Sequence, residues 1–214
     1  MLTIGIVGNG LEDMLPDLTQ YHGDVDIWIG ADKGALILIQ NKLSLDYAVG
    51  DFDSVMDDEL SLIKEQARNV EQFPIEKDET DIEIALKLAF SLQPQQIFLF
   101  GVTGGRLDHS LVNIQLLLSI VEKGIKGIII DNLNIAEMTL PGTHSIKNEI
   151  DYPNISFIPM TPTVIGLSLE NFYYPLTDET IHMGSSLCIS NKLLLNNGTF
   201  FYDEGILLVI KSRD

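Results

Sequence analysis

Cations, cysteine and long apolar runs are what this 214-residue chain has least of. Only 13 Lys and Arg stand against 31 Asp and Glu, a formal net charge of −18. That balance excludes a general nucleic-acid binder, which needs a basic footprint to release phosphate counterions. A single nucleotide that arrives with divalent cations is still compatible, because the metal supplies the missing positive charge. A cationic small substrate is drawn toward the same field. Cys188 is the one cysteine, which excludes an intramolecular disulfide and a cysteine-based zinc cluster and fits a reducing compartment. No apolar run approaches the ~20 residues of a bilayer span. The opening MLTIGIVGNG has no basic stretch and turns glycine-rich, so it reads as a strand and not a leader. The expectation is a soluble, cytoplasmic protein that binds neither nucleic acid nor membrane.

What is present, with 45 % hydrophobic residues, is enough to build packed cores. The first 130 residues alternate between two periods. LTIGIV, VDIWIG, DYAVG, QIFLFGV and KGIIID are short apolar runs rich in strand formers. Helical patterns lie between them, over 33–41, 57–68, 81–92 and 107–123. Strands that alternate with helices predict βαβ crossovers and a mostly parallel, Rossmann-like sheet. Thr80, followed three residues later by Glu83, predicts a capped helix start, with Ile82, Ala85, Leu86 and Ala89 as its apolar stripe. Beyond Asp131 prolines and glycines punctuate runs such as ISFIPM, VIGLSLENFYY, SSLCIS, GTFFYD and ILLVIKS. That pattern predicts a small all-β sandwich or barrel. The chain therefore divides, by expectation, into an α/β domain over 1–131 and a β domain over 132–214.

Ligands of open parallel sheets bind at the carboxyl ends of the strands. The unusual residues fall at those ends: GNG at 8–10, ADKGA at 31–35, GDFDS at 50–54, EKDETD before a helix, and TGGRLDH at 103–109. Singly, each has an ordinary structural reading. Asp32 precedes a helix and serves equally as a cap or a ligand. Ser54, Asp57 and Asp58 read as helix-start residues, and Asp78 and Asp81 flank a capping threonine. Gly8 and Gly10 lack the full dinucleotide fingerprint. The four histidines show no ligand spacing, and Trp28 reads as core.

Together they are harder to dismiss. Two like charges ~4 Å apart repel by roughly 4 kcal/mol at an effective dielectric near 20. Bringing Asp32, Asp51, Asp53 and Asp81 to one sheet edge therefore calls for protons or cations. Mg²⁺ suits such a set, since it shares its shell between one or two carboxylates, water and substrate phosphates. An extended Asp51-Phe52-Asp53 segment would put both acids on one side and Phe52 on the other. Opposite them, Gly104 and Gly105 permit close backbone approach, and a helix N-terminus offers N–H groups to an anion. Arg106 is unfavourably placed against that helix dipole, a position that a phosphate partner would explain, and Lys77 supplies a second cation. The combination points to metal-assisted phosphoryl-type transfer. A metal-dependent phosphohydrolase or nucleotidyl-transfer enzyme remains open on the same residues, as does a nucleotide-sensing module.

In this order, ADKGA, GDFDS, KDETDIEIAL and GVTGGRLDHSLVN resemble the thiamine pyrophosphokinase (thiamine diphosphokinase) family, and FYYPL and SSLCISN resemble its C-terminal motifs. The resemblance implies transfer of the diphosphate group of ATP to the hydroxyethyl group of thiamine, giving thiamine diphosphate and AMP. It implies Asp51, Asp53 and Asp81 as catalytic residues that bind Mg²⁺, with Asp32 supporting the metal–phosphate cluster. By the same resemblance, Lys77, Arg106, Asp108 and the Gly104–Gly105 pair would hold nucleotide or phosphate, and Ser190 and Asn191 would face the thiamine pyrimidine. Asn113 matches an asparagine of the family motif. The family pattern further implies a homodimer in which the β domain completes the partner's site. The chain departs from that pattern at Lys33, often glycine, and at Lys192, where an acid is common. It also has no tryptophan in the β domain, which leaves Tyr173, Tyr174 and Phe201 as candidate aromatics for thiamine.

Overall fold

The apolar runs of the first 130 residues become parallel strands buried on both faces. A computed structural model describes Met1–Asp214, in two units, Met1–Asn132 and Leu133–Asp214. The first unit holds β1 (Thr3–Val7), β2 (Ile27–Ala31), β3 (Tyr47–Gly50), β4 (Asn69–Gln72), β5 (Gln96–Phe100) and β6 (Lys126–Ile130). Helices α1 (Gly34–Gln40), α2 (Asp57–Gln66), α3 (Asp81–Ser91) and α4 (Leu107–Val121) connect them. Every residue of β1 is buried, as expected of a parallel strand covered on both sides. All pairings are parallel, in the order β4-β3-β2-β1-β5-β6. The chain thus steps outward from β1 to β4 and returns to lay β5 on the free side of β1. The loops that follow β1, β2, β3 and β5 leave from the same edge of the sheet.

The predicted helices match within two residues at each end. Thr80 and Glu83 exchange the reciprocal hydrogen bonds of a capping box at the start of α3. Trp28 is core, 1 % exposed. The polar edge strand β4 carries no apolar alternation, and only its backbone pairing with β3 defines it. Gly34 begins α1 hard against β1: a Cβ there would lie 1.8 Å from the Val7 carbonyl oxygen.

The second unit is an antiparallel sandwich. Its strands are β7 (Asn134–Thr139), β8 (Gly142–Lys147), β9 (Asn154–Pro159), β10 (Thr163–Glu170), β11 (Leu176–His182), β12 (Asn197–Tyr202) and β13 (Leu207–Ser212). They pair as β7-β13-β9 and as β11-β10-β12-β8. Phe157 of β9 packs edge-on against Phe200 of β12, ring centroids 5.0 Å apart, so aromatic contact joins the two sheets. The fold is therefore the expected α/β unit followed by an all-β unit. One expected strand is not one: residues 185–190 form turns. Cys188 alone of this run is deeply buried, and its carbonyl accepts from the Phe157 N–H at 3.0 Å.

Candidate active site

The carboxyl-end loops of the first unit enclose a cleft of ≈ 470 Å³. All five motifs reach it, through Asn9, Asp32, Asp51, Lys77, Asp81 and Arg106 among others. Asp32 stands in the left-handed region at φ +50, immediately after β2. Its N–H donates to the Val49 carbonyl at the end of β3, which ties the two loops together. Gly50 closes the gap between the acids. Its φ is +149, and a Cβ there would lie 3.2 Å from Asp32 N and 3.3 Å from Asp81 Oδ1. The positive φ favours glycine here, and the absent Cβ keeps the approach of the two acids uncrowded.

Asp51 and Asp53 do converge, but not because the segment is extended. Phe52 adopts φ +58, and the Asp53 N–H donates to Asp51 Oδ1 at 3.1 Å. A side-chain-closed turn therefore brings the acids together. Phe52 is driven into the core, 3 % exposed. One oxygen from each of Asp32, Asp51 and Asp53 lies within 4.8 Å of the others. Asp32 Oδ2 accepts from Ser54 Oγ at 2.5 Å, while Asp32 Oδ1 is buried with no hydrogen-bond partner. An unpaired buried carboxylate oxygen is costly unless a cation or proton meets it. Three clustered oxygen donors with one such orphan suit a hard divalent cation.

The electrostatics separate the acids. Burial pushes the Asp32 carboxyl above its ordinary range against the Ser54 hydroxyl and the Lys33 N–H, and the Asp81 and Asp51 charges add to the rise. Burial also acts on Asp51, but hydrogen bonds from Lys77 and the Asp53 N–H, with the Lys77 charge, outweigh it and hold Asp51 low. Burial likewise opposes the Lys77 ammonium, which its contacts to Asp51 and Asp81 nevertheless raise. Lys77 Nζ pairs with Asp51 Oδ2 and lies 3.0 Å from Asp81 Oδ1. The second contact is an ion pair without hydrogen-bond alignment, so Asp81 Oδ1 remains without a directed donor.

Across the cleft, Asn113 of α4 donates to the Val102 carbonyl at 2.7 Å. Thr103 Oγ1 donates to the buried Asp131 at 2.6 Å. These bonds brace the start of the glycine loop from two sides. Gly104 turns with φ +86 over Met14, whereas Gly105 borders the cleft with open space around its Cα. Arg106 has a protein partner that the sequence pattern did not single out. Its Nε and Nη2 meet the two Asp108 oxygens at 3.1 and 2.5 Å. The fork holds the Asp108 carboxyl down at about 2. Both side chains are exposed, so the guanidinium keeps access to solvent and to an incoming anion.

Ser190 and Asn191 lie in the second unit. Ser190 is exposed at φ +57, with its N–H on Ser156 Oγ at 3.0 Å. Asn191 is 2 % exposed and its amide is occupied: Nδ2 donates to Tyr174 O, and Oδ1 accepts from Tyr174 and Lys192 N–H. It therefore acts as a brace for the corner that displays Tyr173 and Tyr174, whose rings meet edge-on at 4.9 Å. Two cleft contributors escaped the sequence reading. Ser54 is not a helix cap, since α2 begins beyond Met56, and its partner Asp32 is 22 residues away. His109 borders the cleft from the first turn of α4, without any spacing to mark it.

Comparison with known proteins agrees across the whole chain. The family description "Thiamin pyrophosphokinase, catalytic domain" matches residues 18–129, and "Thiamin pyrophosphokinase, vitamin B1 binding domain" matches 143–207. A curated thiamine pyrophosphokinase of Bacillus subtilis (strain 168) is 42 % identical over 214 residues, 100 % of both chains. The crystal structure of thiamine pyrophosphokinase from Bacillus subtilis superposes with a TM-score of 0.92 at 43 % identity, covering 99 % of each chain. A thiamin pyrophosphokinase family protein from Enterococcus faecalis gives a TM-score of 0.92 at 32 % identity, again over 99 % of each chain. With both family domains matched in order along its length, and the acidic cleft inside the first, the chain belongs to the thiamine pyrophosphokinase family and is an enzyme, a thiamine diphosphokinase.

Proposed function

We propose that the enzyme uses ATP, and that the thiamine hydroxyl attacks the β-phosphorus. The new bond joins the thiamine oxygen to Pβ, the bridge between Pβ and the α-phosphate oxygen breaks, and AMP leaves. The hydroxyl proton passes to a carboxylate of the cluster or to solvent. The single observation that carries this reading is the convergence of Asp32, Asp51 and Asp53 within 4.8 Å, with Asp32 Oδ1 buried and unpaired. Such an arrangement is destabilising until a cation or a proton relieves it, and a divalent cation suits all three oxygens at once.

Asp51, Asp53 and Asp81 would hold Mg²⁺, with Asp32 behind them. When bound, the ion would offset negative charge on the transferred diphosphate. Lys77 and Arg106 then take phosphate oxygens as charge-assisted donors, Arg106 through the Nη1 side of the guanidinium that Asp108 does not occupy. The backbone beside Gly105 approaches the anion at the start of α4. Asp108 sets the direction of the Arg106 guanidinium, and Asn113 holds the loop behind it. In the second unit, Ser190 and the Asn191-braced Tyr173–Tyr174 corner are assigned to thiamine, the aromatic faces suiting its cationic ring. Exposed Leu187, Ile189, Leu194 and Leu195 in that unit support a homodimer that buries them. The single cysteine fits a cytoplasmic enzyme; no helix is long and apolar enough to cross a membrane.

The test is a product assay. Purified protein given ATP, Mg²⁺ and thiamine is expected to form thiamine diphosphate and AMP in equal amounts. Formation of ADP with thiamine monophosphate, or ATP loss that ignores thiamine, overturns the reading.

A further inference from the structure

Lys77 stands between two carboxylates assigned to the metal. Its Nζ pairs with Asp51 Oδ2 and lies 3.0 Å from Asp81 Oδ1, with the side chain 12 % exposed. Asp51 has little left to give: its other oxygen already accepts the Asp53 N–H. Asp32, by contrast, keeps a buried oxygen with no donor. The cluster therefore has one side neutralised by an ammonium and another side left open. Any cation that binds Asp51 together with Asp81 competes with Lys77 for the same lone pairs. It also repels the ammonium at close range.

Lys77 has the reach to change partners. It is carried by the irregular segment 73–80, between β4 and α3, and not by either element. Its charge sits on a flexible four-carbon stem with three rotatable donors, so it exchanges one anionic partner for another without rebuilding the fold. The same cleft is the place where the phosphates of a nucleotide are expected.

We propose that Lys77 is an internal counterion: it neutralises Asp51 and Asp81 before the metal arrives, and the arriving metal displaces it onto the nucleotide phosphates. The inference rests on the functional reading above and adds an order to it. A divalent cation alone must evict Lys77 into water. A cation accompanied by nucleotide gives Lys77 a new partner. Metal and nucleotide therefore strengthen each other's binding, and by linkage the coupling is reciprocal.

The experiment is a Mn²⁺ titration followed by the electron paramagnetic resonance of the free ion. It uses full-length protein, with and without an ATP analogue bridged by methylene between the α- and β-phosphorus. Without nucleotide, Lys77→Gln is expected to bind Mn²⁺ roughly three- to tenfold tighter than wild type, the scale of a lost, partly screened ion pair. With the analogue, wild type is expected to gain more affinity than Lys77→Gln. Lys77→Gln binding Mn²⁺ no tighter than wild type overturns the proposal. A second measurement needs no variant: acylation of lysine amines in wild type, read by mass spectrometry. Labelling of Lys77 should rise several-fold when Mn²⁺ is added, while exposed Lys64 stays constant; an unchanged Lys77 rate overturns the proposal. A wild-type protein that binds no Mn²⁺ in either arm overturns the metal reading and this inference with it. Normal formation of AMP and thiamine diphosphate, with Lys77 indifferent to Mn²⁺, removes this inference alone.

Discussion

Ser54 Oγ donates to Asp32 Oδ2 at 2.5 Å, while the other oxygen of the same carboxylate is buried without a partner. Asp32 is thus half satisfied by its own chain and half prepared for something else. Burial, with the charges of Asp81 and Asp51, lifts its pKa above the ordinary aspartate value. The folded protein binds the Asp32 proton more readily than the unfolded chain, so stability falls as pH rises through the window between the ordinary and the raised value. Above that window the full cost is present. Asp32→Asn is therefore expected to raise the melting temperature of divalent-free protein by a few degrees near about pH 7, and to raise it less as pH falls toward about 4. Asp51, held low, contributes a slope of opposite sign to both proteins. Melting curves across that range check the expectation; a pH-independent difference contradicts it.

Asp53 is exposed, so its carboxylate adds little to packing, although it sits within 4.8 Å of Asp32 and Asp51 oxygens. Asp53→Asn should fold normally and lose turnover by about 10²-fold or more, because the proposed role of the lost charge is to hold metal at the transferred group. Its melting temperature in divalent-free buffer should stay level or rise, since like-charge repulsion is relieved. Near wild-type turnover would remove Asp53 from the site.

The Thr80–Glu83 capping box joins helix stability to the proposed metal site, because Asp81 is the first residue of α3. Thr80→Ala removes the acceptor for the Glu83 N–H and is expected to cost ~0.5–2 kcal/mol in denaturant unfolding. It should also weaken Mn²⁺ binding, since the cap sets where Asp81 begins. Thr80→Ser, which keeps the hydroxyl, should restore both. Recovery of stability without recovery of metal affinity would separate the cap from the site.

The elements with strong periods were legible from their residues. All four helices of the first unit and five of its six strands follow from apolar spacing, and Thr80 with Glu83 marks a true boundary. What escaped depends on partners far along the chain. β4 has no apolar alternation and exists by pairing with β3. Residues 185–190 look like a strand, yet they are not one, and they are tied to β9 by the Phe157 N–H on the Cys188 carbonyl and the Ser190 N–H on Ser156 Oγ. The carboxylate motifs named the acidic side of the cleft, but not how they meet: Phe52 takes a left-handed turn where an extended segment is expected. Ser54 could not be singled out, because nothing in its neighbourhood encodes a hydrogen bond to Asp32. Nor could the Arg106–Asp108 fork be chosen over a phosphate, since spacing of two residues after a glycine loop fits either partner.

That fork supports the last prediction. Arg106 and Asp108 are both well exposed, with side-chain accessibilities of 72 % and 63 %, so their pairing contributes little to folding. The pair instead fixes the plane of the guanidinium at the mouth of the cleft. Arg106→Lys keeps the charge and loses the planar two-donor geometry, which a diphosphate oxygen pair exploits and an ammonium does not. The expected result is a KM for ATP raised about tenfold with the melting temperature unchanged, a loss confined to nucleotide capture. Asp108→Ala keeps the guanidinium but frees its orientation, so its effect on KM should be smaller and should be accompanied by a steeper dependence on ionic strength. Steady-state kinetics at two salt concentrations distinguish the two. Equal effects of Arg106→Lys and Asp108→Ala, insensitive to salt, would mean that geometry at this position does not matter to the nucleotide.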